Sequence, residues 1–352
     1  MILLRAIQEK DLESLEGFSQ IPGFINLPND RDLLREKVMK SISSFKTRSP
    51  GVYGGKYIFV AEDVENGKVL GTSMIAAQHG TVDSPHFYFE VGSEQKYSET
   101  ISTGFIHGTL TLRADTNGPS EIGGLVLDPH FRNSDARLGR QISFVRFLFL
   151  GLNRGCFKKT ILAELLPPLN KRGQSPLWEA IGRRFTNMDY WEADRLCQKD
   201  KGFIFSLFPS GKIYTTFLSA EARNAIGKVG KDTEPVLHML KKIGFHYPGH
   251  VDPFDGGPHL CASQEDIVPA QNIAQLRYQS GNFVSSRVEL SGGQGVSGLL
   301  SPISDSPGEF RAIAVKAVIE GEEVRVLDLS SSLLGDVLGL RQNDRVAFMP
   351  YY

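Results

Sequence analysis

The stretch "SEIGGLVLDPHFR" (residues 120–132) is the most informative part of the sequence, because it predicts a strand that runs directly into a polar loop. The apolar run Leu125-Val126-Leu127 is typical of a strand. Asp128-Pro129 ends it, because the residue before a proline avoids the helical region and a proline cannot donate to a ladder. After the loop, the apolar segment "QISFVRFLFLGLNRG" (141–155) predicts a long helix.

This strand–loop–helix arrangement offers a site for an anion. The first N–H groups of a helix have no partner within the helix, so they are available to a phosphate group. The pyrophosphate of an acyl-CoA suits such a site, and its amide-rich pantetheine arm suits the backbone of residues 125–127, much as a peptide adds to a sheet edge. An ordinary crossover with an exposed polar loop is the alternative that these residues leave open.

The neighbouring segments extend the pattern of alternating strands and helices. The segment "KTILAELL" (159–166) predicts a strand. The segment "SPLWEAIGRRF" (175–185) predicts one helix, with Ser175 as its cap and Pro176 at its first position. Near the N-terminus we expect a helix capped by Asn29 or Asp30 and a hairpin that turns at Asn66-Gly67. Together these elements predict an α/β protein.

The amino-acid composition argues against several classes of protein. The chain has 352 residues, room for two ordinary domains, with 41% hydrophobic and 22% charged residues. A formal net charge of −1 argues against a general nucleic-acid binder. No run approaches the ~20 apolar residues of a membrane helix, and three widely spaced cysteines suggest no disulfide framework. We therefore expect a cytoplasmic protein with neither nucleic acid nor membrane as a partner.

The segment "AIGKVGKDTEPVLHML" (225–240) superficially resembles a phosphate-binding loop. A P-loop has four residues between its first glycine and Gly-Lys, with Ser or Thr directly after the lysine. Here two residues separate Gly227 from Gly230, and Asp232 comes before Thr233. The spacing therefore excludes a nucleotide-phosphate loop.

Histidines cluster in a loop rich in glycine and proline, where His246, His250 and His259 accompany Asp252 and Asp255. Zinc ligands usually come at short regular spacings on fixed elements, and neither an HxH nor an HExxH pattern is present. We expect these histidines to be surface or hydrogen-bonding groups and predict no metal site. The G-x-S-x-G pattern of a hydrolase nucleophile is also absent from the sequence.

Four segments together carry a family resemblance. They resemble, in the same order, segments of the arginine N-succinyltransferases within the GNAT superfamily of CoA-dependent N-acyltransferases. The match spans nearly the whole chain and is most specific at "FDGGP" (254–258) and "SPLWEAIGRRF". The four segments are "SEIGGLVLDPHFR…LGRQISFVRFLFL" (120–150), "AELL…GQSPLWEAIGRRFTNMDYWEAD" (163–194), "AIGKVGKDTEPVLHMLKKIGFHYPGHVDPFDGGPHL" (225–260) and "LGLRQNDRVAF" (338–348).

The resemblance implies both a fold and an activity. The fold is a GNAT-like mixed sheet flanked by helices, arranged as tandem GNAT-like halves with a small β-rich C-terminal module. We place these domains at residues 1–200, 201–290 and 291–352. The implied activity is transfer of a succinyl group from succinyl-CoA, a co-substrate and not a permanently bound cofactor, to the amino group of arginine. The resemblance also allows a homo- or hetero-oligomer.

The resemblance also assigns candidate ligand residues. Leu125 falls at the family's succinyl-CoA-binding leucine. The loop from Arg132 to Gly139 is longer than the family's phosphate loop by about two residues, and Arg137 stands where a small residue is expected. The residues we expect to contact the acyl-CoA are Leu125, Leu127, Arg132, Gly139 and Arg140.

One departure bears on catalysis. The family carries a histidine, its proposed proton donor, where "IGKVGKDT" (226–233) places Gly230. The titratable candidates to replace its chemistry are Glu121, as a base near the start of the CoA strand, His238 and His246. Otherwise water serves. A thiol has a reference pKa of about 8.5, so a thiolate is a tolerable leaving group without an acid. His238 is more consistent with a packed residue on the apolar side of its helix.

Two alternatives to arginine succinylation stay open. Gly230 and the altered phosphate loop favour a non-catalytic homologue or a partner subunit. Leu166, where relatives carry an arginine, favours an acyltransferase with a different amine or acyl donor.

Overall fold

The computed structural model of the chain describes residues 1–20, 30–131, 137–197, 200, 202–280, 295–304 and 308–351. The strands are Ile2–Ala6 (β1), Lys56–Asp63 (β2), Val69–Ala76 (β3), His86–Ser98 (β4), Thr103–Asp115 (β5), Ser120–Leu127 (β6), Thr160–Glu164 (β7), Ile213–Tyr214 (β8), His250–Val251 (β9), His259–Ser263 (β10), Ala274–Tyr278 (β11), Val296–Pro302 (β12), Arg311–Glu320 (β13), Glu323–Val326 (β14) and Arg345–Pro350 (β15). The helices are Leu12–Ser19 (α1), Arg31–Lys46 (α2), Leu138–Leu152 (α3), Pro176–Ala180 (α4), Gly182–Thr186 (α5), Tyr190–Cys197 (α6), Gly202–Leu207 (α7), Ala220–Ala225 (α8), Glu234–Lys242 (α9), Val268–Gln271 (α10) and Ser331–Leu338 (α11).

The chain divides into two compact units. Unit 1 comprises residues 1–77, 122–158 and 264–352, and unit 2 comprises residues 78–121 and 159–263. These units do not coincide with the consecutive domains predicted at 1–200, 201–290 and 291–352, because each unit is assembled from stretches that are separated in sequence. The division into tandem halves stays a prediction.

Unit 1 contains a sheet in the order β6-β3-β2-β1-β13-β12-β15-β11-β14. The last strand, β14, pairs in parallel with β11 and antiparallel with β13. The five strands β11 to β15 therefore close into a ring around an apolar core that includes Leu300, Val346 and Phe348. A β-rich C-terminal region is thus present, although β11 lies N-terminal to the predicted boundary at residue 291.

Helix α3 is the central helix of unit 1. It begins at Leu138, about one turn earlier than predicted, and eleven of its fifteen residues are buried. The Ser73 hydroxyl on β3 donates a 2.7 Å hydrogen bond to the Ile142 carbonyl. The Phe149 ring lies 4.9 Å from the Tyr57 ring and 5.3 Å from the Phe59 ring, measured between centroids. A helix that is apolar on nearly all sides is stable only when it is covered in this way.

Unit 2 holds a four-stranded sheet in the order β8-β5-β4-β9. Its centre is the hairpin of β4 and β5, which have thirteen residues each. In the same unit, β10 pairs antiparallel with β7, and β7 runs parallel to the first two residues of β6, Ser120 and Glu121. Parallel and antiparallel pairs therefore occur together, as the predicted mixed sheet requires.

The predicted helix at 175–185 is two short helices, α4 and α5, with a break at Ile181 (φ −122°, ψ −73°). The cap is as predicted, because the Ser175 hydroxyl accepts a 3.0 Å hydrogen bond from the Trp178 backbone N–H. A Cβ at Gly182 would lie 2.2 Å from Trp178 Cε3, so only glycine fits beside this buried indole. Packing around Trp178 therefore accompanies the change of direction that the sequence pattern did not predict.

Among the helices that the structure describes, none combines the length and the apolar character that a membrane crossing requires.

Candidate active site

The predicted CoA strand, β6, alternates in exposure along its length. Leu125 and Leu127 are half-buried on one face, and Val126 between them is buried on the other. The parallel pairing of β6 with β7 involves Ser120 and Glu121 and extends no further in the described part of these strands. Within the described residues, the backbone from Leu125 to Leu127 therefore has no strand partner on that edge.

The N-terminus of α3 lies close to the end of this strand. A Cβ added to Gly139 would lie 3.2 Å from Leu127 Cδ1, so a small residue suits this position. The Arg140 guanidinium carbon lies 4.5 Å from the centroid of the Tyr351 ring and 5.5 Å from that of Phe144, which is cation–π geometry. The structure thus brings Leu127, Gly139 and Arg140 together, whereas Arg132 lies outside the described residues.

Arg137 precedes α3 in the left-handed conformation, at φ 47° and ψ 42°, with an exposed side chain. This conformation costs an ordinary residue roughly 1–2 kcal/mol but costs glycine much less.

Arg137→Gly is therefore expected to raise the free energy of unfolding by up to about 1 kcal/mol, measured by urea denaturation. Arg137→Ala removes the same charge but keeps the Cβ, so it is the matched control and is expected to give no such gain. A glycine variant no more stable than the alanine variant would contradict the assignment of strain.

A cluster of buried and half-buried ionisable side chains lies at the ends of several strands in unit 2. His79 follows β3 in sequence, and the other members lie at or near strand ends: His86 on β4, Glu121 on β6, Glu164 on β7 and His259 on β10. His79 Nδ1 lies 2.9 Å from Glu121 Oε2. The Nε2 atoms of His79, His86 and His259 lie 3.6, 3.4 and 3.6 Å from the same Glu164 Oε1. Three imidazoles therefore converge on one carboxylate oxygen.

Burial shapes the charges of this cluster. His259 is 1% exposed, and burial lowers its pKa to about 4 although the Glu164 carboxylate acts in the opposite direction. Burial alone would raise the pKa of Glu164, but His259 and the other nearby histidines hold it well below its usual range. At neutral pH we therefore describe His259 as neutral and Glu164 as ionised.

A small pocket opens beside the cluster. His79, His86 and Glu164 line it together with Phe87, Ile204, Asp252, Pro253 and Phe254. Burial and the Asp252 carboxylate raise the pKa of the nearby Asp255 well above its usual range. The Asp255 carboxylate accepts a 2.7 Å hydrogen bond from the Gly257 N–H and thereby fixes the turn of the "FDGGP" segment.

The two predicted catalytic candidates, Glu121 and His238, differ in burial. Glu121 is 7% exposed and belongs to the cluster. His238 is exposed on α9, so the prediction that it packs on the apolar side of its helix is wrong. The prediction for the loop histidines is wrong at His259, which is buried and makes no hydrogen bond within the part of the chain that the structure describes.

Gly230 contacts the segment that follows β7, the strand that carries Glu164. Its N–H donates a 3.0 Å hydrogen bond to the carbonyl of Leu166, two residues beyond Glu164. Its φ of −67° suits any residue, and an added Cβ would lie 3.1 Å from the Pro167 carbonyl oxygen. A side chain therefore fits here with a small local adjustment.

Three members of the cluster, His79, His86 and Glu164, were not predicted from the sequence. They lie far apart in sequence, and none stands in a short motif. The one available signal was Glu164 itself, a carboxylate at the end of the apolar strand segment "KTILAELL".

Similarity to known proteins agrees with this architecture. A sequence model described as the arginine N-succinyltransferase beta subunit matches residues 2–269. The arginine N-succinyltransferase of Photorhabdus laumondii is 33% identical over 327 residues, covering 92% of each chain. The protein of that name from Yersinia pseudotuberculosis is 31% identical over 345 residues, covering 96% of each chain.

A solved structure supports the fold independently. Subunit AI of the arginine/ornithine succinyltransferase of Pseudomonas aeruginosa superimposes with a TM-score of 0.84, covering 99% of this chain and 98% of its own, at 24% identity. This likeness confirms the predicted mixed α/β fold class. The sequence matches go further and show that this chain belongs to the arginine N-succinyltransferase family.

Proposed function

We propose that this protein transfers a succinyl group from succinyl-CoA to the amino group of arginine or a related amino acid. The acyl-CoA acts as a co-substrate and leaves as free CoA. The observation that carries the proposal is strand β6, which holds the buried Glu121 near its start and the half-buried Leu125 and Leu127 further along. A base and a surface for the acyl-CoA on one strand are what an acyl-CoA-dependent N-acyltransferase requires.

In the proposed reaction the neutral amine attacks the thioester carbonyl carbon. Glu121 takes the proton from the amine, the C–N bond forms, and the C–S bond breaks to release the CoA thiolate. His79 holds the base in position, because its Nδ1 lies 2.9 Å from Glu121 Oε2. A thiol's reference pKa of about 8.5 makes the thiolate a tolerable leaving group, so the absence of a side chain at Gly230 does not prevent the reaction.

The proposed acyl-CoA site combines the open edge of β6 with the N-terminus of α3. Among the residues that the structure describes, the backbone from Leu125 to Leu127 has no strand partner on one edge, which leaves it available to pantetheine amides. Gly139 lies in the first turn of α3, where N–H groups favour a phosphate. The Arg140 N–H donates to the Arg137 carbonyl at 2.9 Å, so its proposed phosphate contact is through the guanidinium. Arg132 is proposed as a further phosphate contact.

The test is calorimetry with succinyl-CoA and acetyl-CoA, followed by a thiol-release assay with arginine, ornithine and lysine. We expect succinyl-CoA to bind and arginine to give the fastest release. If neither acyl-CoA binds at millimolar concentration, the proposal is wrong. Faster release with acetyl-CoA, or with ornithine or lysine, would retain an N-acyltransferase but reassign its substrates.

A second candidate function is favoured by Gly230: a non-catalytic homologue or a partner subunit that keeps the acyl-CoA site. This alternative predicts acyl-CoA binding without thiol release for any of the amines. It also predicts that the protein gains no activity when a single proton donor is restored.

Gly230→His tests the role of the missing side chain. We expect kcat for thiol release to rise by about tenfold or more, because a positioned acid contributes about 10²–10⁴-fold and the thiolate needs only part of that help. The measurement is the steady-state rate at saturating succinyl-CoA and arginine. Gly230→Ala adds a Cβ without a proton, so it serves as the matched control and is expected to leave kcat within about threefold. An equal response of both variants would argue against an acid at this position.

A further inference from the structure

The cluster around Glu164 contains the ligand types of a transition-metal site. His79, His86 and Glu164 each offer one ligand atom, and these three atoms all lie within 4.8 Å of one another. Two imidazole nitrogens and one carboxylate oxygen form a set that zinc uses in proteins, with a fourth position left open for water. The oxygen-rich sets preferred by calcium and magnesium are different.

The distances match the geometry of a tetrahedral site. Ligand atoms bound at about 2.0–2.1 Å around a tetrahedral zinc ion lie about 3.4 Å from one another. The Nε2 atoms of His86 and His79 lie 3.4 and 3.6 Å from Glu164 Oε1. Little rearrangement is therefore needed for these atoms to share one ion.

The hydrogen-bonding state of the buried histidines is a second, independent observation. His86 and His259 are 5% and 1% exposed. None of their four ring nitrogens makes a hydrogen bond within the residues that the structure describes. Buried polar groups without hydrogen bonds are costly and rare in proteins, so the two Nε2 atoms, which lie 3.4 and 3.6 Å from Glu164 Oε1, require a partner. A metal ion satisfies His86 directly, and His259 Nε2, 3.6 Å from Glu164 Oε1, lies within reach as an additional ligand.

Glu121 is positioned to orient the imidazole of His79, as a carboxylate usually does for a metal-binding histidine. A ligating histidine typically donates its other ring N–H to a carboxylate, which fixes the ring and its tautomer. His79 Nδ1 lies 2.9 Å from Glu121 Oε2, and this arrangement directs Nε2 towards Glu164. His79, His86 and Glu164 also line the same pocket, so their side chains face a shared space.

We propose that His79, His86 and Glu164 bind one divalent transition-metal ion of the zinc class, with His259 as a potential fourth ligand. This site goes beyond the proposed acyl transfer, no step of which uses a metal. It also replaces the sequence-based expectation of no metal site. The ion joins the ends of β4 and β7 in unit 2 and thereby stabilises the cluster.

The test uses the full-length protein after treatment with a chelator. Co²⁺ is titrated while the visible absorption is recorded, and Zn²⁺ is then added to displace it. We expect one equivalent of Co²⁺ to bind with the intense bands of a four-coordinate site, and Zn²⁺ to remove those bands. Zn²⁺ is also expected to raise the thermal unfolding temperature of the unmodified protein, since a ligand of the folded state stabilises it.

Variants locate the site and separate it from adventitious binding. His86→Ala and Glu164→Gln are expected to lose at least 100-fold in metal affinity, and Glu121→Gln to lose about 10–100-fold. His246→Ala, which removes an exposed histidine, is the matched control and is expected to bind metal as the unmodified protein does.

The proposal is wrong if the unmodified protein binds no Co²⁺ and shows no thermal shift with Zn²⁺. It is equally wrong if His86→Ala and Glu164→Gln bind metal normally. The binding readout does not depend on acyl transfer, so it stands apart from the outcome of the activity assay.

Discussion

Glu121→Gln is expected to lower kcat for thiol release by about 10²–10⁴-fold, the usual contribution of a positioned general base. In the unmodified protein His79 Nδ1 lies 2.9 Å from Glu121 Oε2. Glutamine has nearly the same shape as glutamate, and its carbonyl oxygen can still accept a hydrogen bond from this nitrogen. The amide cannot take a proton from the amine, so the chemical step slows while the fold is kept. The measurement is kcat from steady-state thiol release, combined with succinyl-CoA affinity from calorimetry, which we expect to stay within a few-fold.

The matched control is Glu90→Gln on β4. Glu90 is exposed and hydrogen-bonds to Arg113 on the neighbouring strand at 2.7 Å. The same chemical change at this surface position is expected to leave kcat within about twofold, since exposed ion pairs contribute little. If Glu121→Gln retained kcat to the same degree as Glu90→Gln, the base would have to lie elsewhere, and Glu121 would be a positioning residue only.

Trp178→Ala is expected to lower the free energy of unfolding by about 3–5 kcal/mol, the range for deleting a large buried aromatic side chain. Trp178 is 0% exposed and stacks on Phe254 with ring centroids 4.8 Å apart and planes 2° from parallel. Its indole Nε1 donates a 3.1 Å hydrogen bond to the Met188 carbonyl. The substitution removes this packing and the hydrogen bond together, and a urea denaturation curve measures the loss.

The sequence contains two tryptophans, so the second provides a matched control. Trp191 is 37% exposed, and Trp191→Ala is expected to cost at most about 1 kcal/mol. Similar losses for the two variants would show that Trp178 is less important for unit 2 than its burial indicates.

Local patterns in the sequence predicted individual elements well. The strand at 120–127 and the cap at Ser175 were predicted correctly, and the cap at Asp30 is one of the two predicted candidates. Each of these features depends on residues close together in the chain. The break at Ile181 was not predicted, because it accompanies the close approach of Trp178 to Gly182. The order of the strands in the sheet could not be predicted from local patterns, because β1 and β13 become neighbours only through long-range pairing.

The candidate site shows the same limit. Glu121 was predicted because it lies near the start of the strand that resembles the family's CoA-binding strand. Its partner His79, and the three side chains beyond it, come from four other segments that meet only when β4, β7 and β10 are in place. At Gly230 the sequence predicted that the family's proton donor is missing. The structure shows that a side chain fits at this position with a small local adjustment.

The pairing of β1 with β13 has a consequence for biosynthesis. Leu3 lies opposite Ile313, so one edge of the first strand has no partner until nearly the entire chain has been made. At about 5–20 residues per second, a ribosome needs about 15–60 s to cover that interval. Throughout this time the nascent protein carries an open strand edge, which is a template for unwanted association with other chains. Newly made molecules are therefore more vulnerable to aggregation before release than after it.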